Sequence, residues 1–292
     1  ARFSRKDAER YPDYNRFLHQ AAAFVRELIW QTPPASLGLR SARDMLELGW
    51  NLRKMGRGAF RFFDLMTGSI VEFLEHWFES DQLKATLAYY GSIGNFKGPL
   101  TPGSAYILLH HLMGEHKGAG GWGFIRGGMG GLTQALAACA RSHGATILTD
   151  AEIARVTVRG GRAVGVELAS GDAYRAPVIV SNADPRTTYL RLVGTEHLDA
   201  DVVSGIESYK TFSTAFKINF ALDRLPEYTA FDREAMGVPY PTYVHLGPTI
   251  EYLERAYDDA KYGRPSTRPF LSPVVPTLAD PALAPAGKHI LN

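Results

Sequence analysis

The 292-residue chain is poor in several things, and each lack removes a class of function. It has one cysteine, Cys139, which excludes an internal disulfide framework and fits a reducing compartment. That cysteine falls in the apolar helical run LTQALAACARS, which predicts a buried, inert thiol. No run of eighteen apolar residues occurs, so no membrane-spanning helix is expected. The opening residues, ARFSRKDAER, lack the apolar core of a secretory signal. Net charge is +2 and the basic residues look scattered, a balance too even to imply nucleic acid or an anionic membrane surface. No P-loop lysine is present, GSIGN lacks the central serine of a nucleophile elbow, and Ser104 in TPGSA lacks elbow spacing. Internal repeats and low-complexity tracts are absent.

What remains is an ordinary globular composition, 45% hydrophobic and 21% charged, long enough for one large domain or two moderate ones. Residues 4–113 read as mostly helical. Ser4 with Asp7, and Ser41 with Asp44, are spaced as helix starts. Phe73, Leu74, Trp77 and Phe78 fall on one stripe, Ser80 can cap the next helix and Gly91 end it. TPGSAYILLHHLMG reads as a further helix with Pro102 in its first turn. The abundant aromatics here suit a helical core or the lining of an apolar ligand.

Residues 127–187 change character. A helix from about Leu132 to Ser142 should end at Gly144, and ATILTD should be a short strand. Ile153, Val156 and Val158, then Val164, Val166 and Leu168, alternate about Gly160-Gly161, which predicts a hairpin. VIV at 178–180 reads as a strand buried on both faces, and Asp184-Pro185 as a helix start. Beyond residue 198, STAFKINFAL alternates with Thr214, Phe216, Ile218, Phe220 and Leu222 on one face, and PYPTYVHLG, RPFLSPVVPTL and GKHILN read as strands.

The most unusual stretch is GGWGFIRGGMGGLTQAL, residues 120–136. Glycine loses more conformational freedom on folding than any other residue, so a dense cluster serves positive φ or close backbone approach. Gly118, Gly120 and Gly123 spell G-x-G-x-x-G, but no strand leads in and no acidic residue closes a βαβ unit. They are not a dinucleotide fingerprint. RGGMGGL does open a helix, and so bare a backbone can lie against a flat ring, an anion or a closely packed sheet. His110, His111 and His116 with Glu115 lack metal-site spacing and read as helix-surface residues.

From RGGMGGL through VIVSNADP, the sequence carries in order an R-G-G-x-G-x-L turn, a helix ending at glycine, a strand, a hairpin with G-x-x-x-G-V, and V-x-S-N-A-D-P. In this it resembles the phytoene desaturase family of FAD-dependent oxidoreductases. It is most similar to the phytoene-dehydrogenase-related branch, which carries the pyridine nucleotide-disulphide oxidoreductase domain. SRKDAERYPDY and TPGSAYILLHH extend the similarity over most of the chain.

The resemblance implies an α+β fold, in which a substrate domain with a helical part and a mixed sheet is interleaved with a partial α/β, Rossmann-like FAD domain. The expected divisions are 1–126, the helical part of the substrate domain; 127–187, a segment of the FAD domain; and 188–292, the β-rich part. The family's two terminal glycine-rich FAD motifs are not in this sequence. The missing initiator methionine and the abrupt close on GKHILN add to the expectation of a piece of a longer enzyme, apo and inactive by itself. Arg126, Gly127, Gly128, Met129, Gly130 and Gly131 would return the chain from the substrate domain to the flavin. Ile153 would meet adenine through its backbone, and Ser181, Asn182, Ala183 and Asp184 would follow a sheet strand near the cofactor. Trp122 and Phe124 would face the substrate; no general base and no metal site is implied. The partner expected is a small apolar, carotenoid-like substrate, with peripheral membrane contact left open, no nucleic acid, and an oligomeric state the sequence does not give. The location expected is the cytoplasm, peripheral to a membrane, or the mitochondrial matrix. A flavin amine oxidase and a non-catalytic interaction protein are the alternatives.

Overall fold

The computed structural model describes residues 3–31, 46, 49–50, 52–53, 56, 58–116, 119–120 and 123–292. The helix start read at Ser41 and Asp44, and the residues Gly118 and Trp122, lie outside them. In chain order the helices are α1 (Arg5–Leu28), α2 (Gly58–Thr67), α3 (Ile70–Glu75), α4 (Asp81–Ala88), α5 (Ile107–Leu112), α6 (Gly128–Ser142), α7 (Ala200–Ser208), α8 (Arg233–Met236) and α9 (Ile250–Lys261). The strands are β1 (Glu115–His116), β2 (Ala119–Gly120), β3 (Ile153–Arg159), β4 (Arg162–Leu168), β5 (Ala173–Arg175), β6 (Phe220–Leu222) and β7 (His289–Leu291). This is an α+β fold. Two compact units form, one from 1–131 with 212–292 and the other from 132–211. The boundaries between these units fall at 131/132 and 211/212.

In the first unit α1 starts as its spacing predicts, with the Ser4 hydroxyl accepting the Asp7 N–H at 3.0 Å. The Asp7 carboxylate does not close a capping box. It accepts the N–H groups of Glu79 and Ser80 at 2.8 and 2.9 Å, tying the start of α1 to the turn between α3 and α4. Along α1, Tyr14 and Phe17 face Phe73, Trp77 and Phe78, with ring centroids as close as 4.9 Å for Tyr14 and Phe78. The stripe read at 73–78 is buried throughout, though α3 stops at Glu75 and Trp77 and Phe78 follow in the next turn. Further along, Phe24 meets Phe62 of α2 edge-on at 5.3 Å.

Pro102 lies in a turn ahead of α5 rather than in its first turn. The Ser104 hydroxyl accepts the Ile70 N–H at 2.9 Å, pinning this segment to the start of α3 before the chain winds again. The proline-punctuated segments expected as strands do pair. Leu246 and Leu271 exchange hydrogen bonds, Val274 and Asn292 do likewise, and β7 continues to β6. The result is four short extended pieces side by side, 242–246, 271–275, 289–292 and 220–222. The long strand expected over 213–222 is formed only at Phe220–Leu222; residues 213–219 carry no ladder, and Phe216 points into solvent.

The second unit is built on the expected hairpin. β3 pairs antiparallel with β4 from Ile153↔Leu168 to Arg159↔Arg162, and β5 adds a third strand. Gly160 and Gly161 both take positive φ, 55° and 73°, which a tight primed turn requires. Asp184 accepts the Thr187 N–H, but the helix it precedes is a π-type turn over Arg186–Gly194. Three expectations fail here. ATILTD and VIV form no strand, and Val178 and Val180 are 71% and 88% exposed. Buried parallel strands need a paired neighbour on each side, and the described residues supply none. Cys139 is exposed rather than buried, because α6 buries none of its residues.

The Asp7 clamp carries a pH-dependent prediction. Burial by itself would raise this carboxyl's pKa, but the N–H groups of Glu79 and Ser80 outweigh it and hold it below the usual carboxylate range. A depressed folded pKa contributes stability above the unfolded pKa and loses it as pH falls through the folded value. Asp7→Ala is expected to lower stability by roughly 1.5–3 kcal/mol near neutral pH. In urea titrations the deficit should shrink once pH drops below about 4; a deficit independent of pH would contradict the clamp.

Candidate functional site

The glycine-rich turn is built by backbone alone. Gly127 and Gly128 take φ of 78° and 68°, so the chain reverses just before α6. The Gly128 N–H reaches Ile125 at 2.9 Å and that of Gly131 reaches Gly127 at 3.2 Å. The helix therefore begins at Gly128, four residues ahead of the expected Leu132. The turn is held from outside by Asp280, whose carboxylate accepts the Gly127 N–H at 2.7 Å and also that of Ala282. Leu283, from the same turn, lies 3.3 Å from where a Cβ on Gly128 would stand.

The glycines have different reasons to be there. A Cβ on Gly131 would stand 2.6 Å from the Arg126 carbonyl oxygen, so the turn itself excludes a side chain. Gly130 is helical, and a Cβ there would meet nothing within 4 Å. Glycine inside a helix costs about 1 kcal/mol relative to alanine. Arg126 and Met129 flank the bare backbone with exposed side chains, and Phe124 is exposed just before it.

The remaining expected site residues lie in the second unit. Ile153 is half-buried where the hairpin opens, paired with Leu168 just before a bulge. Ser181, Asn182, Ala183 and Asp184 are exposed. Ser181 bonds the Thr188 hydroxyl at 2.8 Å, and Asp184 caps Thr187. The Thr187 hydroxyl and N–H hold the Asp184 carboxyl below its ordinary value. The side-chain bonds of this segment are thus spent on its own turn. Of the two residues expected to face substrate, Phe124 is described and Trp122 is not.

One cluster was not anticipated. Tyr89 and Tyr90 of the turn after α4, His111 of α5, and Tyr243 and His245 of the paired segments converge in the first unit. The Tyr89 and His245 rings are 4.0 Å apart, Tyr243 and His245 4.8 Å, and Tyr90 and His111 4.8 Å. Burial lowers the pKa of both histidines and His110 adds to the effect on His111, so both imidazoles are neutral at pH 7. Burial likewise raises the Tyr89 and Tyr90 phenols. His111 is therefore a packed residue, not the surface one expected. No sequence spacing links positions 89, 111 and 245. The one legible hint was that Tyr243 and His245 alternate. Among the described residues no group of three or more His, Cys, Asp or Glu side chains could hold a metal. A cleft of about 670 Å³ opens beside β6 and β7, lined by Phe220, Leu222, Leu225 and Leu291 with Asp223 and Arg224, and shares no residue with the glycine turn.

Comparison with known proteins adds to this geometry. The profile of the flavin containing amine oxidoreductase family matches residues 2–275. Pyridine nucleotide-disulfide oxidoreductase domain-containing protein 2 of Rattus norvegicus is 37% identical over 310 residues, covering 100% of this chain and 53% of that protein. The lycopene-forming phytoene desaturase of Pseudescherichia vulneris is 26% identical, over 98% of this chain and 52% of that protein. The chain thus spans about half the length of the curated relatives it matches. The crystal structure of an oxidoreductase from Methanosarcina mazei superposes with a TM-score of 0.51 at 18% identity, over 87% of this chain and 51% of that one. At that identity the likeness speaks for the fold.

Gly130 and Gly131 separate two reasons for glycine. Gly130→Ala is expected to stabilise the ligand-free chain by up to about 1 kcal/mol, as helix propensity returns. Gly131→Ala should destabilise it, because the Arg126 carbonyl must move. Thermal denaturation of the two variants checks the order; destabilisation by both would mean that Gly130 too is fixed by the fold.

Proposed function

From the premise that this chain belongs to the flavin containing amine oxidoreductase family, we propose that it is part of an FAD-dependent oxidoreductase of the phytoene-dehydrogenase type. The observation that supports the reading is the turn that Gly127 and Gly128 make with positive φ at the start of α6, within the residues the family profile matches. FAD, when bound, accepts the hydride that leaves a C–H bond of the substrate. The chain's own task is to position and to exclude. Gly127 and Gly128 bring the main chain round without side chains, and Asp280 keeps the turn in place through the Gly127 N–H. Arg126, Phe124 and Trp122 are assigned to the substrate side, where aromatic surface suits an apolar substrate. Ile153 and the segment Ser181–Asp184 are assigned to the cofactor. No side chain is given a proton to hold: the two carboxylates named here, Asp280 and Asp184, are engaged by the N–H groups of Gly127 and Thr187.

Amine oxidation is the second reading, and the family description favours it. The Tyr89, Tyr90 and Tyr243 grouping is the feature that could cage an ammonium. Its rings are already occupied by neighbours: Tyr89 packs against His245 at 4.0 Å and Phe270 at 5.5 Å. That packing argues for the apolar substrate. Bleaching of the flavin absorption of the whole enzyme by a conjugated or unsaturated hydrocarbon, and not by amines, is the expected result; bleaching by amines alone would reverse the assignment.

Affinity for a dinucleotide rests heavily on pyrophosphate contacts at a strand-to-helix turn of G-x-G-x-x-G type. Among the described residues no G-x-G-x-x-G turn joins a strand to a helix: β1 precedes Gly118 in the chain, but it pairs antiparallel with β2, inside the motif. Lacking roughly two or three charge-assisted hydrogen bonds of about 1.5–3 kcal/mol each, this chain should bind FAD several powers of ten more weakly than the whole enzyme. The chain alone should purify colourless and the longer polypeptide yellow. Stoichiometric flavin in the 292-residue preparation would show that the glycine turn holds the cofactor by itself.

A further inference from the structure

The seam between the turn after α4 and the paired segments 242–246 and 271–275 is polar, where most packed layers are apolar. The Tyr243–Val274 and Leu246–Leu271 pairings place His245 directly opposite Ser272, and side chains so paired share one face. That face meets the turn: the His245 ring lies 4.0 Å from Tyr89 and 5.7 Å from Tyr90. Tyr90 in turn meets His111 of α5 at 4.8 Å, and Phe270 stands edge-on to Tyr89 at 5.5 Å. The Tyr89 hydroxyl is within bonding reach of Ser272 and Tyr243. Tyr243 is nearly half exposed, so the seam borders solvent and protons reach it.

Nothing in the seam is fitted to receive a positive charge. Both imidazoles and the phenols of Tyr89 and Tyr90 are neutral at pH 7. His245 Nδ1 is buried and has no hydrogen-bond partner. Tyr89 and Tyr90 face this ring from the turn, Tyr243 from its own segment and Ser272 from the neighbouring one. Around His111, burial and repulsion from His110, 5.5 Å away, outweigh a bond to the Tyr90 backbone that favours the charged ring. No Asp or Glu side chain acts on either imidazole. The attraction of a tyrosine ring for a cation is small against the cost of burying an unpaired one. A histidine whose folded pKa is depressed contributes stability above the unfolded pKa. That stability is lost as pH falls from there toward the folded value.

We propose that His245, together with His111, makes this seam an acid-released latch, parting the paired segments from the Tyr89–Tyr90 turn when the rings take up protons. The inference is independent of flavin binding. Short extended pieces do not keep their pairing without a covering layer, so release is read in their own amides. Hydrogen exchange of the whole enzyme, followed by mass spectrometry and corrected for intrinsic rates, should show protection of 242–246 and 271–275 falling on acidification. Between about pH 7 and about pH 5 the fall should reach up to about thirtyfold for each histidine that stays neutral in the closed form. Segments within α1 should keep their protection over the same range. His245→Phe, which cannot take a proton, should remove its share of the pH dependence, and His245→Phe with His111→Phe should abolish it. The wild-type protein supplies a check that needs no variant: by NMR its His245 ring should titrate well below the ordinary value of about 6.5. Protection independent of pH, ordinary titration of His245, or full pH dependence in the paired phenylalanine variant overturns the proposal. So does loss of protection from α1 at the same pH, which would make acid sensitivity a property of the whole fold.

Discussion

The helical half of the molecule depends on one contact, the seating of the aromatic face of α1 on the segment 73–78. Tyr14 and Phe17 meet Phe73, Trp77 and Phe78 ring against ring. Such rings bring large buried area and edge-to-face attraction, and they tolerate several rotations about the helix axis equally well. What selects one register is Asp7. Its carboxylate can take the N–H groups of Glu79 and Ser80 only when α1 lies at one height and one rotation against that turn. Ser69 and Glu72 then start α3 with a reciprocal capping box, and Ser104 fixes the chain ahead of α5 to the same point. Hydrophobic burial supplies the drive and a few buried polar bonds supply the geometry.

A second constraint divides what was legible in the sequence from what was not. Helices satisfy their backbone locally, so α1 and the 73–78 stripe follow from spacing and caps. A hairpin nearly does so, and β3–β4 follows from two alternating runs about Gly160-Gly161. Isolated strands do not. ATILTD, VIV and the first part of STAFKINFAL have strand composition, but composition says nothing of which segment pairs with them. Where a neighbour is present, as for Leu246 with Leu271, the strand forms; where none is, Val178, Val180 and Phe216 remain extended and exposed. Cys139 was misread for a related reason. The period of LTQALAACARS marks one apolar face on α6, and no described element covers that face.

The candidate site shows the same division. RGGMGGL announced a turn that side chains would block, and Gly127 and Gly128 require it through their positive φ. Asp280, which holds that turn, stands 153 residues away, and no local pattern could have named it. The Tyr89–His245 cluster is equally non-local, assembled from three elements that meet only in the folded chain. Sequence motifs expose positions where backbone geometry is special, because those demand a particular residue type. They leave out the residues that support such positions, because many residue types could do so from many places.

These points bear on how the glycine turn can serve a cofactor. A bare helix start flexible enough to accept any ring would lose affinity each time it had to be ordered on binding. Here the disorder glycine would bring is removed in advance: Asp280 takes the Gly127 N–H, Leu283 packs beside Gly128, and Gly131 abuts the Arg126 carbonyl. A Cβ on Gly130 would meet no described atom within 4 Å, as at the helical Gly205. On the proposed reading the cofactor meets a turn already fixed by these contacts, so little of the binding energy goes into ordering glycine.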